Sequence, residues 1–320
     1  MTDSAAGCRR ARSVSAPVVS VLIPTWNNAA ELAECLESLR QVEYPRDRLE
    51  VLVFDNGSRD DTTACVRACY AEMERDGWRR LLFARSARNL GAFGGRAEAA
   101  RLLDPEAEML LSLDDDVELM PEALAILVST LADPHVGVAG ARIVYHDAPA
   151  EVASAAGYLN RWLGTFSESA PAVRTLCDFV SSCGCLIRRA AFDAVGGFDR
   201  EYFTSHGDVD LCLRVRALGF KVLYEPAAVI RHKVARGGTR SPERVYYVYR
   251  NKLLLLRKHL PRWWWPTIFA LYGTLWLPKI LAGSLAHHRR VDSREVCAIL
   301  RGAADGLRGR RGERRGSASR

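Results

Sequence analysis

Glutamine is almost missing from this chain: Gln41 is the only one in 320 residues. Lysine is scarce too, five against forty arginines, a bias that points to a GC-rich bacterial genome and to no particular pathway. The nine cysteines contain no Cys-x-x-Cys pair, and Cys183-Gly184-Cys185 is too closely spaced for a zinc knuckle. A structural zinc site of standard spacing is thereby excluded. Residues 1–16, MTDSAAGCRRARSVSA, lack the apolar core of a secretory signal. A reduced, cytosolic setting and a disordered N-terminus are therefore expected. The uncharged stretch 263–278 has only 16 residues, short of the roughly 20 that span a bilayer. No internal repeat is visible.

What remains is an ordinary globular composition, 48% hydrophobic and 26% charged, long enough for a sizeable core. The net charge of +7 is unevenly spread. Residues 251–320 carry fifteen Lys/Arg against four Asp/Glu, a net of +11, which leaves −4 for residues 1–250. A mildly acidic body thus ends in a basic appendage, suited to a membrane surface or a polyanion.

Apolar runs at 18–24 and 49–55 read as buried strands, and 80–85 and 108–114 as a third and a fourth strand. Helical patterns lie between them: Leu32, Leu36 and Leu39 share one face of 29–40, and 121–133 opens on a proline. Strands this continuously apolar, alternating with helices, predict an α/β fold: a mostly parallel sheet covered by helices. Residues 135–240 are less periodic and are read as short strands and loops. Ligands of such sheets bind at the carboxyl ends of the strands. Asp55 ends one strand there, and 114–116, three aspartates in a row, end another.

Three adjacent carboxylates repel unless something positive is near. In an extended segment residues i and i+2 point the same way, so Asp114 and Asp116 can face one point with Asp115 turned aside. A divalent cation, Mg²⁺ or Mn²⁺, suits such oxygen ligands; a solvated acidic turn is the alternative. Asp55 begins Asp-Asn-Gly-Ser, where its carboxylate can accept the imide N–H of a pyrimidine ring or simply form a turn. In RNLGAFGG (88–95), Gly91, Gly94 and Gly95 permit close approach of backbone to a ligand, and Arg88 can meet a diphosphate. Asp208 and Asp210 sit where a helix begins. Asp210 is read as its cap and Asp208 as a candidate general base. His232 follows the short strand KVLYEPAAVI.

The order IPTWNN, VFDNGS, RNLGAFGG, LDDDV, GGFD, GDVDLCLR, RH resembles the family 2 glycosyltransferases over roughly residues 18–255. NLGAFGG with LDDDV is most similar to the rhamnosyl- and galactofuranosyltransferases, and VYYVYRNKLLLLRKH (245–259) resembles their C-terminal helix. The resemblance implies a GT-A nucleotide-sugar-binding fold. It implies a metal site of Asp114, Asp116 and His232, and donor-nucleotide contacts from Pro24, Thr25, Asp55, Arg88, Asn89, Gly91 and Asp115. It makes Asp208 the catalytic base. Two departures stand out: Gly207-Asp208 replaces the usual Glu-Asp, and RAEAA follows Gly95 where relatives carry other residues. Processive synthases of the family carry Gln-x-x-Arg-Trp, which a chain whose one glutamine precedes Val-Glu-Tyr-Pro cannot contain.

The expected activity is therefore single, inverting transfer of a sugar from a UDP- or dTDP-sugar, with a divalent metal, to a glycan, lipid-linked or small-molecule acceptor. The competing readings are a glycoside hydrolase using paired carboxylates, which has no need of a metal, and a non-catalytic nucleotide- or membrane-binding module. Nucleic acid is not an expected partner, since no aromatic stacking motif is evident; oligomerisation is left open. The expected domains are a glycosyltransferase domain over 17–258, a hydrophobic helical extension over 259–300 and a disordered basic tail over 301–320. Trp and Tyr flanked by basic residues in 262–290 predict a helix lying on the inner face of the cell membrane or a hairpin dipping into it; a helix packed on the domain or in a dimer is the alternative.

Overall fold

The strands β1 (Val19–Thr25) and β2 (Leu49–Asp55) are buried at every position, as strands covered on both faces must be. With β3 (Arg80–Arg85) and β4 (Met109–Leu113) they form a parallel block. The computed structural model describes residues 16–234, 241–280, 282 and 293–314. The sheet has ten strands. Beside β4 lies the antiparallel β11 (Gly184–Arg188), then β6 (Val136–Tyr145), β12 (Lys221–His232) and β10 (Thr175–Leu176). Two short strands hang from it: β5 (Val117–Leu119) on β12 and β7 (Ala148–Ser154) on β6. A separate hairpin joins β8 (Ala156–Asn160) to β9 (Thr165–Ser169).

Each face of the sheet has its own core. Leu32, Leu36 and Leu39 of α1 (Ala29–Arg40), Val66 and Met73 of α2 (Thr62–Met73) and Leu124 of α4 (Ala123–Thr130) cover one face. Phe93 of α3 (Gly91–Ala99), Phe192 of α5 (Arg189–Ala194), Leu211 and Leu213 of α6 (Gly207–Ala217) and Leu254 of α7 (Pro242–His259) cover the other. Each such side chain contributes about 1.5–3 kcal/mol when fully buried.

The expected mostly parallel, helix-covered sheet is present. The segment expected to hold only short strands contains the two longest, β6 and β12. The glycines of RNLGAFGG lie in a helix, α3, rather than in an open loop.

Of the basic tail expected to be disordered over 301–320, residues 301–307 instead end α9 (Ser293–Leu307), and 315–320 lie outside the described residues. Gly302 and Gly306 let α9 press onto α7: a Cβ there would lie 2.5 Å from Tyr246 O and 2.7 Å from Arg250 O. The buried Arg250 side chain stacks 4.7 Å from the Tyr247 ring and donates to Gly312 O at 2.5 Å, so the chain beyond the helix is tied down as well. The expectation of disorder over 1–15 lies outside the described residues.

In the segment that opens with Arg262, α8 (Trp265–Leu271) runs into a π-turn (Tyr272–Trp276). Ile268 and Tyr272 are buried, and Trp264 packs edge-on against Trp162. Trp263 and Leu275 face outward, 69% and 53% exposed. Among the described residues no helix is long and apolar enough to cross a membrane.

Candidate active site

The carboxyl ends of β1, β2 and β4 open on one edge of the sheet. Thr25 ends β1 and Asp55 ends β2, in register with each other. Asp55 is fully buried; its Oδ1 accepts from Ser58 N at 2.7 Å and its Oδ2 lies 3.2 Å from Arg85 Nε. Thr25 Oγ1, Asp55 Oδ2 and Asn56 Oδ1 are buried there without completing a hydrogen bond. Pro24 is the residue before Thr25 in β1.

The chain leaves β4 through the three aspartates and returns as β5, which pairs antiparallel with the last residues of β12: Arg231 opposes Glu118 and His232 opposes Val117. That register, reinforced by Lys233 N donating to Asp116 O at 3.0 Å, carries His232 across 116 residues of sequence to Asp116. Ligand atoms of Asp114, Asp116 and His232 all lie within 4.8 Å of one another. Two carboxylate oxygens and one imidazole nitrogen fit a hard divalent ion that also accepts nitrogen. Asp115 is not in this set and lies toward Thr25 and Asn28.

The three carboxylates relieve their repulsion in three different ways. Asp114 Oδ1 pairs with Arg96, whose guanidinium is buried and also donates to Ser112 Oγ and Leu113 O, both at 3.1 Å. Burial pushes Asp115 up to about 6, with the neighbouring Asp116 and Asp114 adding to the effect, so it ionises less readily than an ordinary carboxylate. Asp116 Oδ1 sits 3.0 Å from His232 Nε2. Burial alone would lower the His232 pKa, but the Asp116 carboxylate and the Cys183 thiol, 3.9 Å from Nδ1, raise it to about 11. Asp116 is correspondingly held below the usual carboxylate range despite its burial.

Asp208 reaches the same edge from the opposite core. It opens α6, and its Oδ2 accepts from Ser182 N at 3.3 Å while Oδ1 accepts from Val209 N at 2.9 Å. Ser182 precedes β11 by two residues, and Gly184 of β11 opposes Leu113 of β4, so this bond ties Asp208 to the aspartate turn. Burial raises the Asp208 pKa; the two backbone donors and the Arg96 charge oppose the rise. Asp208 faces a cleft of ≈ 240 Å³.

The remaining candidates fall into place differently. Asn89 Oδ1 accepts from Gly91 N at 2.7 Å, which makes it a turn residue at the start of α3. Arg88 is exposed on the surface, with no ion pair among the described residues. Gly91 has φ +78°, and a Cβ would fall 2.1 Å from Phe203 O; one at Gly95 would strike the Asn56 side chain at 2.5 Å. Protein, not an open cradle, occupies the room these two glycines leave. Asp210 is not the helix cap: His206 holds that position, and Asp210 is buried among His259, Arg214 and Lys258.

Sequence reasoning missed Arg96, Cys183 and His206. Arg96 was visible only as the odd residue after Gly95, and its partner lies 18 residues away. The Gly207 departure now has a cause: a Cβ there would meet the Phe93 ring at 2.4 Å, so no glutamate fits.

The chain matches the model of a family described as glycosyltransferase like family 2 over residues 16–263. It is 31% identical to an uncharacterized protein, y4gI, of Sinorhizobium fredii over 71% of this chain and 26% of that one. It is 25% identical to an N-acetylglucosaminyltransferase of Rhizobium leguminosarum over 67% and 50% of the two chains. This chain thus spans about a quarter and a half of those relatives. An N-acetylglucosaminyl-diphospho-decaprenol L-rhamnosyltransferase of Mycobacterium tuberculosis is 28% identical over 86% of this chain and 95% of its own length. Among solved structures, a mannosyltransferase of Pyrobaculum calidifontis in complex with GDP-Man and Mn²⁺ superposes with a TM-score of 0.60 at 18% identity, covering 92% and 88% of the two chains. With its sheet, its aspartate turn and this likeness in agreement, the chain belongs to the family 2-like glycosyltransferases, on a GT-A fold.

Proposed function

We propose that this protein transfers one sugar, with inversion, from a nucleoside-diphosphate sugar to an acceptor hydroxyl. The observation that carries the reading is the convergence of Asp114, Asp116 and His232 at the sheet edge that Asp208 also reaches. The donor is a UDP- or dTDP-sugar, of rhamnose or galactofuranose type, and the acceptor belongs to a glycan, glycolipid or small-molecule glycoside. Pro24, Thr25, Asp55 and Asp115 hold the nucleotide; Arg88, Asn89 and Gly91 border it. The register that sets Thr25 beside Asp55 at the ends of β1 and β2 supports that placement. Asp208 removes the proton from the acceptor hydroxyl, whose oxygen attacks the anomeric carbon as the diphosphate departs. Asp114, Asp116 and His232 hold Mn²⁺ or Mg²⁺, which when bound offsets charge on the diphosphate. A single displacement by the acceptor oxygen needs one base and no nucleophilic side chain, which favours transfer over a hydrolase with paired carboxylates.

Calorimetry of UDP and dTDP binding with Mn²⁺ tests the metal site. His232 must lose its proton before Nε2 can ligate, so metal affinity should rise with pH and binding should release a proton. Affinity is expected to be stronger at pH 8 than at pH 6. Asp116→Ala and His232→Ala should each weaken it at least about tenfold. An unchanged metal dependence in the His232 variant removes His232 from the site.

The outward face of 262–280 supports peripheral attachment to the inner face of the cell membrane. Ile268 and Tyr272 belong to the cores, so deleting the segment would damage the fold. Point changes are the cleaner test. Trp263→Ala with Leu275→Ser should lower partition onto anionic vesicles roughly ten- to hundredfold, the effect of losing about 1.5–3 kcal/mol of apolar burial. Equal partition of variant and wild type removes this face from membrane contact.

A further inference from the structure

A cavity lined by none of the candidate active-site residues lies between the end of α7, the segment that opens with Arg262, and the end of α9. Its volume is ≈ 540 Å³, within the roughly 300–1,000 Å³ of small-molecule sites. Buried Tyr202, Leu254 and Leu260 give it an apolar side. The rest is basic. Arg257, Lys258, Arg262, Arg308 and Arg311 line it, against two acids, Asp199 and Glu201.

Both acids are already engaged: Lys258 Nζ lies 2.8 Å from Asp199 Oδ2, and Arg311 Nη1 lies 2.5 Å from Glu201 Oε2. Three guanidiniums are left over. Arg308 reaches Asp305 at 3.7 Å, but that carboxylate already accepts from Arg310 and from Tyr246 Oη, each at 2.9 Å. Arg257 and Arg262 have no carboxylate partner among the described residues. Both instead stand over the Trp265 ring, 5.0 and 5.8 Å from its centre. The indole is fixed, since its Nε1 donates to Leu260 O at 3.2 Å, and Arg257 is held by donating to Leu307 O at 2.5 Å. A solvated basic face would spread its charges apart. Two that converge on one indole, with a third in the same wall, repel one another until an anion lies between them.

We infer that this cavity binds the phosphate of an anionic lipid headgroup, held by Arg257, Arg262 and Arg308. Planar guanidiniums match the geometry of phosphate oxygens and bond them in pairs. Two further features favour a lipid over free phosphate. The apolar side formed by Tyr202, Leu254 and Leu260 can cover the glycerol carbons of a headgroup, where a bare phosphate would gain nothing. Trp263, 69% exposed, directly follows Arg262, and tryptophan favours the headgroup depth of a bilayer. The cavity gains its cellular meaning, though not its test, from the peripheral attachment proposed above. That attachment was assigned to an outward apolar face; the cavity adds a headgroup that the face would select.

Calorimetry on the full chain tests this with dihexanoyl phosphatidylglycerol as a dissolved monomer, so that no charged surface attracts the protein. Dihexanoyl phosphatidylcholine, whose choline cation the arginines repel, and inorganic phosphate are the comparison probes. Phosphatidylglycerol should bind at least about tenfold more tightly than either, the effect of one charge-assisted bond. Arg262→Gln and Arg308→Gln, both at exposed positions that do not endanger folding, should each weaken it about tenfold. Arg262→Lys keeps the charge but loses the fork, and should still weaken it several-fold. Arg301→Gln, an exposed change on α9 outside the cavity, should bind like wild type. The site is overturned if phosphatidylglycerol does not bind, if phosphatidylcholine binds equally, or if Arg301→Gln loses as much as Arg262→Gln. Inorganic phosphate binding as tightly as phosphatidylglycerol overturns the lipid as occupant. A single-stranded oligonucleotide that displaces the lipid at lower concentration overturns it too. Vesicle partition separates this site from the attachment reading. Partition that falls in Trp263→Ala with Leu275→Ser but not in Arg262→Gln removes the headgroup site alone. Monomeric lipid bound without any partition onto vesicles removes the attachment and leaves the site standing.

Discussion

Asp208→Asn is expected to reduce sugar transfer by about 10²–10⁴-fold, the usual contribution of a positioned general base. The substitution keeps the shape of the side chain. One amide oxygen can still accept from Val209 N or Ser182 N, so the start of α6 and its tie to β11 should survive. What disappears is the group that can take a proton. Nucleoside-diphosphate binding should stay close to wild type, because no donor contact is assigned to Asp208. Burial raises the Asp208 pKa, so activity should fall on the acid side at a pH above the ordinary carboxylate range. Transfer rates across pH, with calorimetry of UDP alongside, check both points. Activity within a few-fold of wild type would remove Asp208 from the role of base.

Asp210→Asn should cost about 3–5 kcal/mol of stability, the usual effect of removing one partner from a buried charge cluster. Asp210 is fully buried, with His259 Nε2 and Arg214 Nε each 2.8 Å away and Lys258 Nζ at 2.9 Å. The variant would leave the Arg214 and Lys258 cations facing a neutral amide. Burial alone would raise the Asp210 pKa, but His259, Arg214 and Lys258 together depress it to about 2. A depressed carboxylate stabilises the fold above its unfolded pKa, and that stabilisation is lost as pH falls through the folded value. With the ordinary value at 3.8, the contribution is about 2–3 kcal/mol near neutrality, lost progressively from about pH 5 to below 2. Urea unfolding at pH 7 and at pH 3 should show a smaller acid loss in Asp210→Asn than in wild type. Equal pH dependence in both proteins would show that the cluster is not the source.

Three like charges in a row have a more particular answer than the sequence allowed. Their adjacency predicts a cation, and a divalent metal is the simplest one. Beside that candidate metal site, folding supplies a different remedy for each: an ion pair for Asp114, a raised pKa for Asp115 and a histidine for Asp116. Arg96 and Cys183 were illegible because neither belongs to a local pattern. Arg96 stands in a helix among alanines and glycines, and Cys183 sits in a Ser-Cys-Gly-Cys run whose partner is 49 residues away.

Period and punctuation determined the sheet. Unbroken apolar runs ending on aspartate must be strands buried on both faces, and β2 and β3 have the bounds that the sequence implied. The same signals marked Asp55, Asp114 and Asp116 as strand-end residues, where ligands of such sheets bind. Only the tertiary structure decided which distant groups meet them. Pairing of β5 with β12 brought His232 to Asp116, and pairing of β11 with β4 brought Asp208 to the aspartate turn. It also decided that Asp210 is a buried anion rather than a cap, and that residues 301–307 belong to a helix held by Gly302 and Gly306. The physical reason is range. Hydrophobic period and turn chemistry act over a few residues and are written along the chain. Strand register and the neutralisation of a charge depend on surfaces that do not exist until the chain has folded.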